Sequence, residues 1–347
     1  MKGFLSILGL LGLLPGVYGL SLLIRGGGSG WMWAWMGLWF ALCWGLAWLT
    51  SEPLRARVFL GIAGAILAVV VGARGFRANP SGLGSLVRLP EGGSPPWVTR
   101  LVDDGDATAM LLVAFSDFGG INGDDWRRSK AALKAQLRAM RRDREFRPIP
   151  SIVVGQLVGS SPPGNPLAYV LNPPPPGERA PRAVIFMHGA GGAQKLPCWM
   201  LARRMPDAMV VCPGVGLGGE WANDAGQRAF ETAVQYVTER AQATYVVAHQ
   251  YGARGALYLL DRSFRGHISG VVLVSGMDEN AFDAIRRSAI PLLVVRGNQD
   301  LRTPVLRAEG QTGLARVRHL DLDGGNMLFY EQSEVVLQEL DDFIVPR

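Results

Sequence analysis

Six short strand-like runs, five of them almost wholly apolar, interleaved with five stretches of helical periodicity, constrain this chain more than any other feature. They are Ala183–Met187, Ala208–Cys212, Tyr245–Ala248, Ile268–Val274, Leu292–Arg296 and about Val317–Leu322, and each reads as a strand. The stretches at about Lys195–Arg204, Ala225–Ala241, Gly252–Asp261, Glu279–Arg287 and Tyr330–Phe343 read as helices. Strands that are apolar on successive residues have no solvated face, so they belong in a sheet covered on both sides. Alternation with helices makes that sheet mostly parallel, because parallel neighbours need a crossover connection. In such sheets ligands bind beyond the carboxyl ends of the strands, and the residues that follow each run are therefore the candidates for chemistry.

The amino-terminal part is different in kind. Residues 1–77 hold three apolar segments: Phe4–Ile24, Trp31–Leu49 and Val58–Val71, the last continuing to about Gly75. Each is roughly 18 to 22 residues, the length that spans a ~30 Å hydrocarbon core at ~1.5 Å per residue. The second carries Trp31, Trp33, Trp35, Trp39, Trp44 and Trp48, side chains that also anchor at the membrane–water interface. A helical transmembrane region of about three spans is the expectation. A cleaved signal peptide is the alternative for the first segment, since Lys2 precedes it. No A-x-A-like site follows, however, and two further apolar segments do. Orientation is undetermined, because Lys2, Arg55 and Arg57 on one side balance Arg25, Arg74 and Arg77 on the other.

Residues 78–97, rich in Gly, Pro and Ser, read as a linker to a globular domain over 98–347. Within that domain, 98–180 holds amino-terminal strands and a basic helix, and 181–347 holds the parallel-sheet core. Ala109–Phe115 reads as a strand. Asp124–Arg142 reads as a helix with Trp126, Leu133, Leu137 and Met140 inward and Arg127, Arg128, Lys130, Lys134, Arg138 and Arg141 around them. That basic surface is either an ordinary solvated face or a contact for anionic headgroups. Ser151–Val158 and Leu167–Leu171 read as a hairpin, and Pro173–Pro176 as a stiff spacer. The net charge of +6 is modest and calls for no nucleic-acid partner. Cys43 lies in an apolar segment; Cys198 and Cys212 either pair in an oxidising compartment or pack as thiols. No ligand-spaced Cys/His cluster supports a metal site, and nothing calls for a cofactor.

Four motifs follow the strands. His188-Gly189-Ala190-Gly191-Gly192 comes after the first core strand. Thr244–Ala256 reads T-Y-V-V-A-H-Q-Y-G-A-R-G-A, a β-branched strand running into a tight turn and a Gly/Ala-rich helix. Leu292–Pro304 reads L-L-V-V-R-G-N-Q-D-L-R-T-P, and Asp321–Gln332 reads D-L-D-G-G-N-M-L-F-Y-E-Q. In this order, from about Ser151 to Arg347, they resemble the α/β-hydrolase superfamily, nearest to its bacterial esterase, lipase and depolymerase-like members. The resemblance implies an α/β-hydrolase fold, with helices on both faces of a mostly parallel sheet. It also implies an oxyanion-hole-like site from the backbone of Gly189, Ala190 and Gly191 with the N–H of Tyr251. Asp300 falls at the acid position, with Asp278 as the other place such folds put an acid.

Two positions depart from the family. Gln250 stands where the nucleophilic serine of the elbow belongs, and Asn326 where the histidine belongs. A carboxamide is a poor nucleophile, and no base can activate it as a hydroxyl is activated. Asn326 donates and accepts hydrogen bonds but takes up no proton at neutral pH. His319 lies on the order of 20 Å from the catalytic edge at ~3.3 Å per residue, His267 precedes its strand, and His188 and His249 belong to the loop and the elbow. The expectation is therefore a membrane-anchored, multi-pass pseudo-hydrolase that binds a small ester, carboxylate or lipid ligand, or a protein partner. Its globular domain is expected outside the cytoplasm. One alternative is an active ester or lipid hydrolase whose nucleophile is Ser116, Ser275, Cys198 or a water on Asp300. Another is a membrane scaffold subunit.

Overall fold

The strand pairing explains why the inner runs carry no polar face, and why Val317–Leu322, at the sheet edge, keeps Arg318, His319 and Asp321 exposed. The computed structural model describes residues 83–96, 99, 123–146, 149–157, 161–162, 164–189, 195–216, 219–260, 266–277, 290–300 and 316–345, with backbone alone for 123–128, 154 and 260. Strands β1 (Gly84–Arg88), β2 (Leu167–Leu171), β3 (Ala180–Met187), β4 (Ala208–Pro213), β5 (Ala241–His249), β6 (Gly270–Val274), β7 (Leu292–Gly297) and β8 (Val317–Leu322) form one sheet. Their order is β1-β2-β4-β3-β5-β6-β7-β8. The pairs from β4 to β8 are parallel, and β1 and β2 join antiparallel at one edge.

The period-2 pleat sorts each strand's side chains between two cores. Val184, Phe186, Val247, Val272, Leu293 and Val295 enter one. Ala183, Ile185, Met187, Val246, Ala248, Leu273 and Val294 enter the other. Helices α1 (Gly123–Arg142), α2 (Ile152–Leu157), α3 (Lys195–Arg204), α6 (Leu328–Glu331) and α7 (Ser333–Ile344) contribute to the first core. Helices α4 (Asp224–Thr238) and α5 (Tyr251–Leu260) contribute to the second. The chain thus has an α/β fold with a mostly parallel sheet and helices on both faces.

Two local expectations give way. The segment read as a linker contributes β1, whose residues Gly84 to Arg88 pair with Leu171 to Leu167 of β2. Ser151–Val158 is not the first arm of a hairpin, because Ile152–Leu157 is helical. The Ile152 N–H, an open donor at a helix start, is accepted by the Tyr169 hydroxyl at 2.9 Å, and that hydroxyl donates to Pro150 O at 3.2 Å. Burial of Ile152 and Val153 in the core then outweighs the strand preference of β-branched residues. The three apolar segments, the strand expected at Ala109–Phe115 and the helix expected at Glu279–Arg287 lie outside the described residues. Among the described residues no helix is long and apolar enough to cross a membrane.

Cys198 of α3 and Cys212 of β4 are joined in a disulfide, 14 residues apart in sequence, with both side chains fully buried. Closing a loop of about that length restricts the unfolded chain by ~3 kcal/mol. Replacing both residues (Cys198→Ala with Cys212→Ala) is expected to lower the unfolding free energy by roughly 3 kcal/mol, read from a denaturant midpoint at unchanged slope.

Candidate functional site

Because β3 and β5 to β8 run parallel, the residues that follow them meet along one edge. Met187 is level with Ala248, His249 with Val274, Val274 with Val295 and Gly297 with Leu322. Gly189, Gln250, Ser275, Asp300 and Asn326 therefore arise from successive ends of one edge. Sequence separations of tens of residues become adjacency through register alone.

Gln250 is the corner between β5 and α5. Its φ of 54° lies in the left-handed region, which costs a non-glycine residue on the order of 1–2 kcal/mol. The surroundings hold it there: its N–H donates to Val274 O at 3.1 Å, and its carbonyl accepts the Ala253 N–H at 2.9 Å to start α5. Gly252 makes the turn sterically possible, since a Cβ there would lie 2.1 Å from Met187 O. The result is a strained strand–turn–helix corner with a carboxamide raised on it.

The Gln250 side chain lies across the site. Its Nε2 donates to the main-chain carbonyl of Asn326 at 3.2 Å and reaches Met327 Sδ at 3.2 Å. Its Oε1 lies against Gly189, where a Cβ would come within 2.5 Å of it. The amide thus bridges Gly189 and the turn before α6. Asn326 takes part through its backbone; its own Oδ1 is buried with no hydrogen-bond partner.

Asp300 is buried, and its Oδ2 accepts the Gly276 N–H at 3.3 Å. Tyr251 is the first residue of α5, so its N–H lies at the open amino end of a helix, as an oxyanion donor requires. Ala190 and Gly191 fall outside the described residues, as do Asp278 and Ser116. Cys198 is consumed in the disulfide and is not a free nucleophile. Ser275 has φ 54° and is fully buried, and its Oγ has no partner among the described residues, so none of them supplies the base contact that activates a hydroxyl.

The two buried histidines play a larger part than the sequence suggested. His188 Nε2 accepts the Val215 N–H at 3.2 Å, which leaves the proton on Nδ1 to donate to Gly189 O at 2.8 Å. Trp221 Nε1 donates to His188 O at 2.9 Å and completes the support of the glycine loop. His249 Nε2 faces Asn326 O at 3.4 Å, its ring packs against Phe329 and Tyr330, and the Asp300 charge bears on it. Burial lowers both imidazoles to about 4, against small opposing effects from the Gly189 and Asn326 carbonyls. Both are neutral at pH 7. The only sequence signal for His249 was its place beside Gln250. Outside the corner, Gly219, Glu220, Trp221, Asn223, Tyr251 and Arg254 line an open depression of about 290 Å³.

The fold is similar to that of Est1E from Butyrivibrio proteoclasticus at 13% identity, over 52% of this chain and 93% of that one, with a TM-score of 0.41. It is similar to an esterase from Exiguobacterium antarcticum at 12% identity, over 52% and 96%, with a TM-score of 0.41. A carboxylesterase from Bacillus subtilis is similar at 9% identity, over 52% and 89%, with a TM-score of 0.40. No family model matches the chain, and no curated protein matches it. At this level of likeness the chemistry has to be read from the site itself.

Two outcomes are expected. In the unfolded chain both histidines titrate near 6.5, and in the folded protein near 4. Between these values the unfolded chain binds more protons, so this stability is fully present above about pH 6.5 and falls as the pH drops toward 4. The loss is on the order of 3 kcal/mol per ring, and a His249→Gln variant should show a shallower fall in unfolding titrations. Gly252→Ala sets a methyl group against a backbone oxygen that has no rotamer to yield; thermal unfolding should show a loss of about 3 kcal/mol.

Proposed function

We propose that this protein is a membrane-anchored α/β-hydrolase-fold protein whose site binds a small ligand without hydrolysing it. The observation that carries this reading is the Gln250 carboxamide bridging Gly189 and Asn326, in the space a serine and a histidine would have to share. Removal of either serine or histidine from a triad forfeits most of the nucleophilic rate advantage, and here neither is present.

What remains at these strand ends is a set of polar groups: the helix-terminal N–H of Tyr251, the Gln250 amide, the Asp300 carboxylate and the Oδ1 of Asn326, which has no partner among the described residues. A buried acceptor without a partner is disfavoured by ~1–3 kcal/mol, and a ligand hydroxyl or amide would relieve it. A small ester, carboxylate or lipid headgroup with such a donor fits this chemistry, and the depression beside Tyr251 and Trp221 offers apolar contact next to it.

Anchoring rests on the three apolar segments within residues 1–77. The Cys198–Cys212 bond supports a domain on the oxidising side of the membrane, since such bonds persist outside the cytoplasm.

The test is release of nitrophenol from short- and long-chain activated esters by the full chain. The wild type is expected to stay at background, and Gln250→Ser with Asn326→His to rise about 100-fold or more above it. Wild-type turnover that survives Gln250→Ala would overturn the reading and place the nucleophile elsewhere.

A further inference from the structure

The outer face of α1 points to a second contact of this protein, with an anionic bilayer surface. The helix has two unlike sides. Leu133, Leu137 and Met140 are buried in the core. Gln136 Nε2 donates to Tyr330 O at 3.0 Å and to Ser333 Oγ at 2.7 Å, and Ser129 Oγ donates to Glu331 Oε1 at 2.6 Å. These bonds fix α1 to α6, the helix that follows the Asn326 turn. On the other side Lys130, Lys134, Arg138 and Arg142 recur at every fourth residue, a row about 18 Å long at ~1.5 Å per residue. Lys130, Arg138 and Arg142 are exposed, and so are Ala131, Ala135 and Ala139 beside them. The small side chains leave the cations as the most protruding groups of that face.

Such a row works against the helix that carries it. Like charges four residues apart repel by about 0.2–0.5 kcal/mol per pair, and no Asp or Glu lies between Trp126 and Arg142 to offset them. The described acids near Arg138 and Arg142 have other partners. Asp143 and Glu145 pair with Arg203, Asp341 with Arg204 and Glu339 with Arg318, while Glu331 accepts from Ser129 and from the Gly325 N–H. The charge of Arg138 and Arg142 is thus presented outward rather than neutralised within the fold. A row of four to eight basic residues on an amphipathic helix matches the spacing and sign of anionic lipid headgroups. The helix also lies well beyond the window of about 15–20 residues from a span in which charges set orientation, so the row is compatible with either side of the membrane.

We infer that the basic row of α1 docks on anionic headgroups and so holds the strand-end site close to the membrane. The inference rests on the proposed anchoring, which keeps the domain within reach of the bilayer. To test it, the full chain carrying Cys43→Ser and Ala135→Cys is labelled with a fluorophore at position 135. It is then reconstituted with phosphatidylcholine vesicles, with or without phosphatidylglycerol, that carry a headgroup nitroxide. Flotation reports anchoring; quenching reports docking.

The expected result is flotation with both vesicles and quenching only in the anionic ones, reversed by high salt. Arg138→Gln with Arg142→Gln should lower the ratio of docked to undocked domain by roughly 25-fold, about fivefold per charge removed. Flotation with both vesicles but no quenching, or quenching equal in both, would overturn docking and leave anchoring standing. Flotation and quenching with anionic vesicles alone would sustain docking and refute anchoring. Flotation with neither refutes both.

Discussion

The approach of α5 to the end of β3 governs the rest of the molecule. Met187 O lies where a Cβ on Gly252 would be, and this contact seats the amino end of α5 directly over the sheet. A helix that close leaves its preceding residue only one way to turn, which is the left-handed conformation of Gln250. The strain is local, but it is held by long-range pairing: Gln250 N–H to Val274 O ties the corner to β6, and the Gly276 N–H ties the next strand end to Asp300. The site is thus a consequence of how tightly the sheet and its helices close, and its side chains were placed by that closure before their chemistry mattered.

On such a frame the length of one side chain decides how much of the corner is filled. A serine at the corner would present a short hydroxyl and leave space before the glycine loop. A glutamine replaces that hydroxyl with a methylene and a carboxamide, and it reaches both sides: Oε1 at Gly189, and Nε2 at Asn326 O and Met327 Sδ. The surroundings agree with this neutral role. His188 and His249 are buried and uncharged at pH 7, each with one nitrogen committed to a main-chain carbonyl. No imidazole is poised near neutral pH in contact with Gln250 among the described residues, as proton transfer at a hydrolytic centre would demand.

Connections outside the sheet tie the site to its periphery. The disulfide joins α3, which follows the glycine loop, to β4, which leads to the Val215 N–H that sets the His188 tautomer. The hydrogen bonds from Ser129 and Gln136 join α1 to the turn that approaches Gln250. Two surfaces remote in sequence thereby share a rigid neighbour with the strand-end pocket.

Much of this was legible from residues alone. The apolar runs identified β3 to β7 because continuous apolarity on a strand has one physical outcome, burial on both faces, while β8, at the sheet edge, keeps Arg318, His319 and Asp321 exposed. The corner was legible because T-Y-V-V-A-H-Q-Y-G places a strand, a turn and a close-packing glycine in order, which are β5, the left-handed Gln250 and Gly252. Composition misled where packing overrode it: Gly, Pro and Ser around Gly84–Arg88 looked like a linker, yet β2 had a free edge for that segment to pair with. Likewise Ile152 and Val153 favour strand by propensity, and the Tyr169 hydroxyl with a waiting core made them helical. The sequence alone determined the layered α/β architecture and which residue types stand at each strand end, because those depend on local pattern and order. Only the tertiary structure decided that Cys198 meets Cys212, that His249 feels Asp300, and that Gln250 binds the backbone of Asn326. Those are distances between segments far apart in the chain, and no local pattern encodes a distance.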